Sequence, residues 1–171
     1  SRARIKSFLD DTHLDAHGFV VFSPGSPVRY KQWNLTLYAR LADMIIEKYQ
    51  LPVVFMWAKS EINACNEIIN QMKNKAILAP ATDLNQALAL LEQTKLLICN
   101  DGGINHFSCV TRTPTIAMFG VTNPVKWSPH SVFPEHHHLY HEGFPSEKDN
   151  SFGIQPEEVI QKIEEIFSTI K

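Results

Sequence analysis

Several things the sequence lacks narrow its class. Positive charge is not in excess: 16 Lys and Arg stand against 18 Asp and Glu, a formal net charge of −2. A chain without a basic surplus is a poor nucleic-acid binder, so no nucleic-acid partner is expected. Cysteine is scarce. Cys65, Cys99 and Cys109 are three, an odd number, and no two form a C-x-x-C pair. That excludes a disulfide framework or a zinc knuckle and fits a reduced, cytoplasmic protein. No apolar run approaches the ~20 residues of a membrane span. The stretch 7–17 is mostly polar, so no secretory signal core is present. The G-x-G-x-x-G fingerprint does not follow the first apolar run, and G-x-x-x-x-G-K-[ST] is absent. A nicotinamide dehydrogenase and a P-loop nucleotidase are therefore unsupported. There is no initiator Met, which points to residues upstream of Ser1. No internal repeat or low-complexity segment is present.

What is there is a single domain's worth of ordinary core: 171 residues, 44% hydrophobic and 20% charged. Residues 1–17 show mixed polarity without a clean period and read as a linker or the end of a preceding element. From residue 18 a rhythm begins. Apolar runs at 19–22, 53–56, 76–78, 96–99 and 115–119 are hydrophobic throughout rather than alternating, as strands covered on both faces must be. Between them lie stretches of helical spacing. Leu37, Leu41, Met44 and Ile45 follow a possible Asn34 cap; Ile62, Cys65, Ile69 and Met72 follow Ser60. Leu84, Ala87, Leu88 and Leu91 follow Asp83, with Gln86 placed to close a capping box. In the last stretch Val159, Ile160, Ile163, Ile166, Phe167 and Ile170 make an apolar stripe. Pro156 suits its first position, and Glu157 and Glu158 its positive end. Strand–helix alternation of this kind predicts a doubly wound α/β domain over 18–171, a parallel sheet with helices on both faces. The Pro-, His- and Gly-rich stretch 121–152 reads as an irregular surface segment with one short strand near 138–141.

In such a sheet, ligands bind beyond the carboxyl ends of the strands, where the strand order switches. Two loops follow strands there. Ser23-Pro24-Gly25-Ser26-Pro27, trailed by Lys31, has a glycine for close backbone approach, hydroxyl donors and a point charge for a phosphate. On its own it reads more readily as a Pro/Gly turn with an exposed lysine. Asn100-Asp101-Gly102-Gly103-Ile104-Asn105-His106 opens a helix whose first N–H groups form an anion site. There Asp101 would cap the helix or accept hydrogen bonds from sugar hydroxyls, and His106 would donate to a phosphate. A glycine turn with a capping Asp and a packed His is the plain alternative.

Taken in order, Ser-Pro-Gly-Ser at 23–26, Lys31-x-Trp33, 57–61, the Asn-Asp-Gly-Gly-Ile-Asn-His run and Pro-Thr-Ile-Ala-Met-Phe-Gly-Val-Thr-Asn-Pro at 114–124 resemble glycosyltransferase family 9. That family includes the lipopolysaccharide heptosyltransferases. The resemblance covers about residues 18–128. It implies the C-terminal, donor-binding, Rossmann-like half of a GT-B fold. The donor would be a nucleotide-diphosphate sugar, with ADP-heptose the expected one. A lipid A-core acceptor would be held by an N-terminal domain absent from this sequence. Carried over by position, Lys31 and Asp101 resemble the catalytic residues: the lysine that neutralises the diphosphate leaving group and the Asp that meets the transferred sugar. Ser23, Gly25 and Ser26 resemble the donor-phosphate loop, and Glu61 the acidic residue on the ribose. Gly102, Gly103 and His106 resemble the phosphate-facing turn, and Thr82, in the loop 80–83, would border the base. The chain departs from the family in three places. Gly102 stands where a Thr is usual, Asn34 where a Pro is common, and the match at Glu61 needs a one-residue gap.

The resemblance implies an inverting transfer in which preorganised cations and helix amides meet the leaving diphosphate, with no cofactor or metal. The acceptor's base would belong to the other domain, which leaves this chain inactive alone. A transferase using another nucleotide sugar and a stand-alone nucleotide-sugar-binding module remain open alternatives. The expected location is cytoplasmic, with peripheral attachment at the inner membrane open. His130, His136, His137, His138 and His141 form a cluster, but adjacent strand residues face opposite ways, so a solvated loop is favoured over a metal site. Trp33 and Trp57 read as core or as pocket wall.

Overall fold

The structure, a computed structural model, describes residues 2–144 and 149–170. Six strands form one sheet: β1 (Val20–Ser23), β2 (Val53–Phe55), β3 (Ile77–Leu78), β4 (Leu96–Asn100), β5 (Thr115–Met118) and β6 (His136–Leu139). Their order is β3-β2-β1-β4-β5-β6, and every neighbouring pair is parallel. The helices are α1 (Arg2–Thr12), α2 (Leu35–Tyr49), α3 (Ile62–Gln71), α4 (Leu84–Leu91), α5 (Gly103–Thr111), α6 (Pro124–Trp127) and α7 (Pro156–Thr169). This is the doubly wound α/β arrangement expected from the uninterrupted apolar runs.

Those runs are apolar throughout because successive side chains enter different cores. Val20 and Phe22 join Val53, Phe55, Leu96 and Ile98 in a core closed by α2, α3 and α7. Phe19 and Val21 join Val54, Leu97 and Cys99 in a second core closed by α1 and α4. With no water on either face, neither parity of the strand tolerates a polar residue.

Helix ends follow their sequence signals in most cases. The Asn34 side chain caps α2 by accepting from the amides of Thr36 and Leu37, and Asp83 and Gln86 close a reciprocal capping box on α4. Pro156 opens α7, which buries Val159, Ile160, Ile163 and Ile166; Ile170, at the end of the stripe, is exposed. Three expectations change. The segment 1–17 is helical over Arg2–Thr12, and Ile5 and Leu9, four residues apart, pack against α4. Glu61, not Ser60, is the residue at the start of α3, and its side chain does not cap the helix. The last strand lies two residues earlier than 138–141, because the ladder with β5 pairs His136 with Thr115 and ends at Leu139. Residues 145–148 of the stretch 121–152 lie outside the described residues; the rest also holds the short α6, which its composition did not announce.

Candidate functional site

The chain winds outward from β1 to β3, then returns through α4 to β4, so the strand order switches between β1 and β4. The loops leaving these two adjacent strands must diverge, and a crevice opens between them. The loops 23–27 and 100–103 flank it, and the loops after β2 and β3 supply its far wall. A cavity of about 320 Å³ lies there. Its polar side is formed by Ser23, Gly25, Ser26, Glu61, Thr82, Asp101, Gly102 and Gly103, and its apolar side by Met56, Leu84, Ala87, Ile104 and Phe107. One polar flank with one apolar flank is the lining expected for a small molecule that has a charged part and a flat part.

Lys31 is the last residue of a 3-10 turn (Arg29–Lys31), and its side chain reaches the loop after β4. Its Nζ donates to Asp101 Oδ2 at 3.0 Å, with the two side chains 29% and 6% exposed. Asp101 is therefore a buried carboxylate held by an ammonium, and it does not cap α5. The N-cap is Gly102, in extended conformation, with no side-chain cap. Nothing lies within 4 Å of where a Cβ on Gly102 would sit, and Gly103 meets only Phe107. The start of α5, with its free first-turn amides, is thus open toward the cavity.

Across the crevice, Gly25 is needed for close approach. A Cβ there would lie 2.5 Å from Glu61 Cβ, Cδ and Oε2. Glu61 is held in place because its Oε2 accepts from the Ala58 amide at 3.2 Å. The Ser26 hydroxyl donates to Val28 O and accepts from Val28 N, a local turn that it must leave to reach a ligand. A more open polar groove of about 500 Å³ adjoins the first, sharing Ser26, Pro27 and Glu61 and adding Arg29, Asn63 and Glu67.

Nine of the ten residues singled out from the sequence thus converge on one crevice, eight lining the cavity and Lys31 joined to it through Asp101. His106 does not. It is exposed on α5, outside the cavity lining. Trp33 is fully buried core, and Trp57 is partly buried, its indole N–H donating to Ala79 O. Cys99 lies beneath the site, and burial, with the Asp101 charge second, pushes its thiol above the ordinary range. Sequence reasoning missed Asn100 as a site residue. Its side chain is buried and bonded to four groups from three segments. The signal was its position, a polar residue closing an otherwise apolar strand at the switch point.

The histidines of β6 are partly or fully buried at the sheet edge. His138 contacts Ser128 Oγ, His130 contacts the His136 carbonyl, and His141 pairs with Glu158. Among the described residues no three His, Cys, Asp or Glu side chains are grouped to hold a metal ion. No helix among them is long and apolar enough to cross a membrane.

Fold and crevice define a Rossmann-like α/β domain of the type that makes up half of a GT-B fold. A crystal structure of a glycosyltransferase family 9 protein from Veillonella parvula superposes with a TM-score of 0.82. It is 24% identical and covers 98% of this chain and 51% of that one. The Escherichia coli ADP-heptose lipopolysaccharide heptosyltransferase II superposes with a TM-score of 0.80 at 21% identity, over 98% and 52% of the two chains. The lipooligosaccharide heptosyltransferase 2 of Haemophilus influenzae is 32% identical over 128 residues, 70% of this chain and 36% of that protein. The model of glycosyltransferase family 9 (heptosyltransferase) matches residues 2–150, and the chain belongs to that family. The chain spans about a third of the curated relative's length and about half of each solved chain.

Proposed function

We propose that this chain is the donor-binding half of an inverting heptosyltransferase that takes heptose from ADP-heptose for the lipopolysaccharide inner core. The observation that carries the reading is the Lys31–Asp101 pair at the β1/β4 switch point, with Asp101 lining the cavity beside the open start of α5 and Lys31 held to it at 3.0 Å. An ammonium and a helix N-terminus on one crevice suit a diphosphate. The apolar flank of Met56, Leu84 and Ile104 suits a base, with Thr82 at its border and Glu61 positioned for ribose hydroxyls. In the transfer, the anomeric C–O bond breaks and its electron pair passes to the nucleoside diphosphate. Lys31, the Ser26 hydroxyl and the α5 amides stabilise that negative charge. Asp101 meets the transferred sugar and keeps the ammonium in place between turnovers. The base that deprotonates the acceptor hydroxyl comes from outside these 171 residues in this reading, so the chain alone transfers no sugar. The relatives' printed names support the donor and the acceptor class: a heptosyltransferase of ADP-heptose and lipooligosaccharide. A cytoplasmic location, where nucleotide sugars are available, belongs to the same proposal.

Calorimetric titration with ADP, UDP and GDP tests it. The proposal expects ADP to bind most tightly. Preference for UDP or GDP would move the chain to another nucleotide sugar, and no binding of any of the three would remove the donor-site reading.

A further inference from the structure

The Asn100 side chain makes four hydrogen bonds across the crevice. Its Oδ1 accepts from the Trp33 amide at 2.9 Å and from the Tyr38 hydroxyl at 2.8 Å, while its Nδ2 donates to Pro24 O at 2.8 Å and Gly25 O at 3.2 Å. A carboxamide has two donor hydrogens and two acceptor lone pairs, so the protein itself uses its whole capacity. Although Asn100 lines the cavity, it has no hydrogen bond left for a ligand. What it joins is informative. Pro24 and Gly25 belong to the loop after β1, and Trp33 follows Lys31 by two residues. Asp101, the partner of Lys31, is the next residue in the chain.

Other ties act in the same direction. The Gln32 side chain donates to Pro24 O at 3.2 Å. The Trp33 indole N–H donates to Ser151 O, and the Asn34 amide donates to Asn150 O. The segment bearing Lys31 is thus fastened on one side to the 150–151 turn and on the other, through Asn100, to the opposite loop. An extended lysine loses considerable rotamer entropy when its charge is fixed. A backbone already pinned at Trp33 limits that loss to the side chain itself.

We infer that Asn100 is a positioning residue. It touches neither ligand nor reacting atoms, but sets the distance between the Ser23–Ser26 loop and the Lys31 ammonium to fit a diphosphate. The inference rests on the donor-site reading above. It predicts a particular kind of defect: loss of Asn100 lowers affinity for the second phosphate more than affinity for the nucleoside and the first.

The experiment is calorimetric titration of the wild-type chain, Asn100→Ser and Tyr38→Phe with ADP and with AMP, each protein checked for folding by thermal unfolding. Asn100→Ser is neutral, so it adds no charge near the phosphates, and its side chain is too short to reach the loop carbonyls. Tyr38→Phe removes one bond from the same Oδ1 without touching either loop, and controls for stability. The expected result is a fall of about tenfold in the ADP-over-AMP preference for Asn100→Ser, the equilibrium equivalent of one displaced charge-assisted hydrogen bond. Tyr38→Phe should melt earlier and keep the wild-type preference. A folded Asn100→Ser with the wild-type preference overturns the inference. So does equal loss for both nucleotides, the mark of a merely structural role. If Asn100→Ser does not fold, Gln32→Leu cuts the second tie to Pro24 O, and an unchanged preference there overturns it as well. A wild-type chain that binds ADP no better than AMP refutes the diphosphate reading itself, which separates that failure from failure of the role of Asn100.

Discussion

Replacing Lys31 by Met keeps the aliphatic stem and removes the ammonium, and two losses follow. The first is the contact to Asp101. At 3.0 Å, Coulomb's law gives about 5.5 kcal/mol at an effective dielectric near 20 and about 1.4 kcal/mol in bulk water. The pair lies between these limits, because Asp101 is nearly buried and Lys31 is not. Desolvation offsets much of the attraction, so a net stability loss of about 1–3 kcal/mol is expected. The second loss is at the ligand. Without the ammonium, the buried carboxylate faces the diphosphate unneutralised, and ADP affinity should fall by about 1–3 kcal/mol, roughly five- to 150-fold. Titration with ADP against AMP reads the second loss, and thermal unfolding reads the first. The double variant Lys31→Met/Asp101→Asn separates them: it should recover stability and part of the ADP affinity, because the unpaired charge has gone. Unchanged ADP affinity in Lys31→Met, or no recovery of stability in the double variant, would refute the reasoning.

Other consequences are testable in the same way. Gly25→Ala places a Cβ 2.5 Å from Glu61 Cβ, which no rotation of the Glu61 side chain relieves; overpacking of about 1–3 kcal/mol and weakened nucleotide binding should follow, and wild-type melting with wild-type affinity would contradict it. Asp83→Ala removes the α4 capping box and should cost about 1 kcal/mol in denaturant unfolding; an unchanged midpoint would contradict it. The β6 edge should make stability depend on pH. Burial, the first cause in each case, holds His136, His137 and His138 below the ordinary imidazole value. The unfolded chain then binds more protons than the folded one below pH about 6.5. Stability is fully present above that pH and declines as pH falls through the window beneath it. Melting temperatures measured between pH 7.5 and 5 should drop, and His136→Leu should reduce the drop; a flat or rising profile would exclude this origin. Burial pushes the Cys65 thiol up to about 12 and that of Cys99 higher still, so neither should react with a thiol reagent until the chain unfolds.

The fold was legible where chain-local physics decides it. Strands covered on both faces have no polar parity, so β1, β2, β4 and β5 stand out as solid apolar runs, and Asn34 and Asp83 mark helix starts by hydrogen bonds made within three residues. Legibility failed where a distant surface decides. Ile5 and Leu9 form only two contacts of a stripe, and α1 gains its meaning from α4, some eighty residues away. Glu61 begins α3 while its carboxylate serves the Ala58 amide. β6 has neither solid nor alternating hydrophobicity, since His136 is fully buried in a strand written mostly in histidine.

The site divides along the same line. A residue that must offer a free group to a ligand is visible in sequence as a glycine, a hydroxyl or a charge at the carboxyl end of a strand, and the residues of that kind after β1 and β4 converge. His106 fits the pattern by spacing, yet the rotation of α5 turns it to the exposed side, a matter of helix phase that a motif does not encode. Asn100 is the converse. Its chemistry is spent wholly inside the protein, so it resembles no ligand-binding residue, and only the positions of Pro24, Gly25, Trp33 and Tyr38 around it disclose what it holds. A crevice between two diverging loops needs both kinds: groups left open for the ligand, and at least one closed group to fix the gap. The second kind can be recognised only once the gap itself is known.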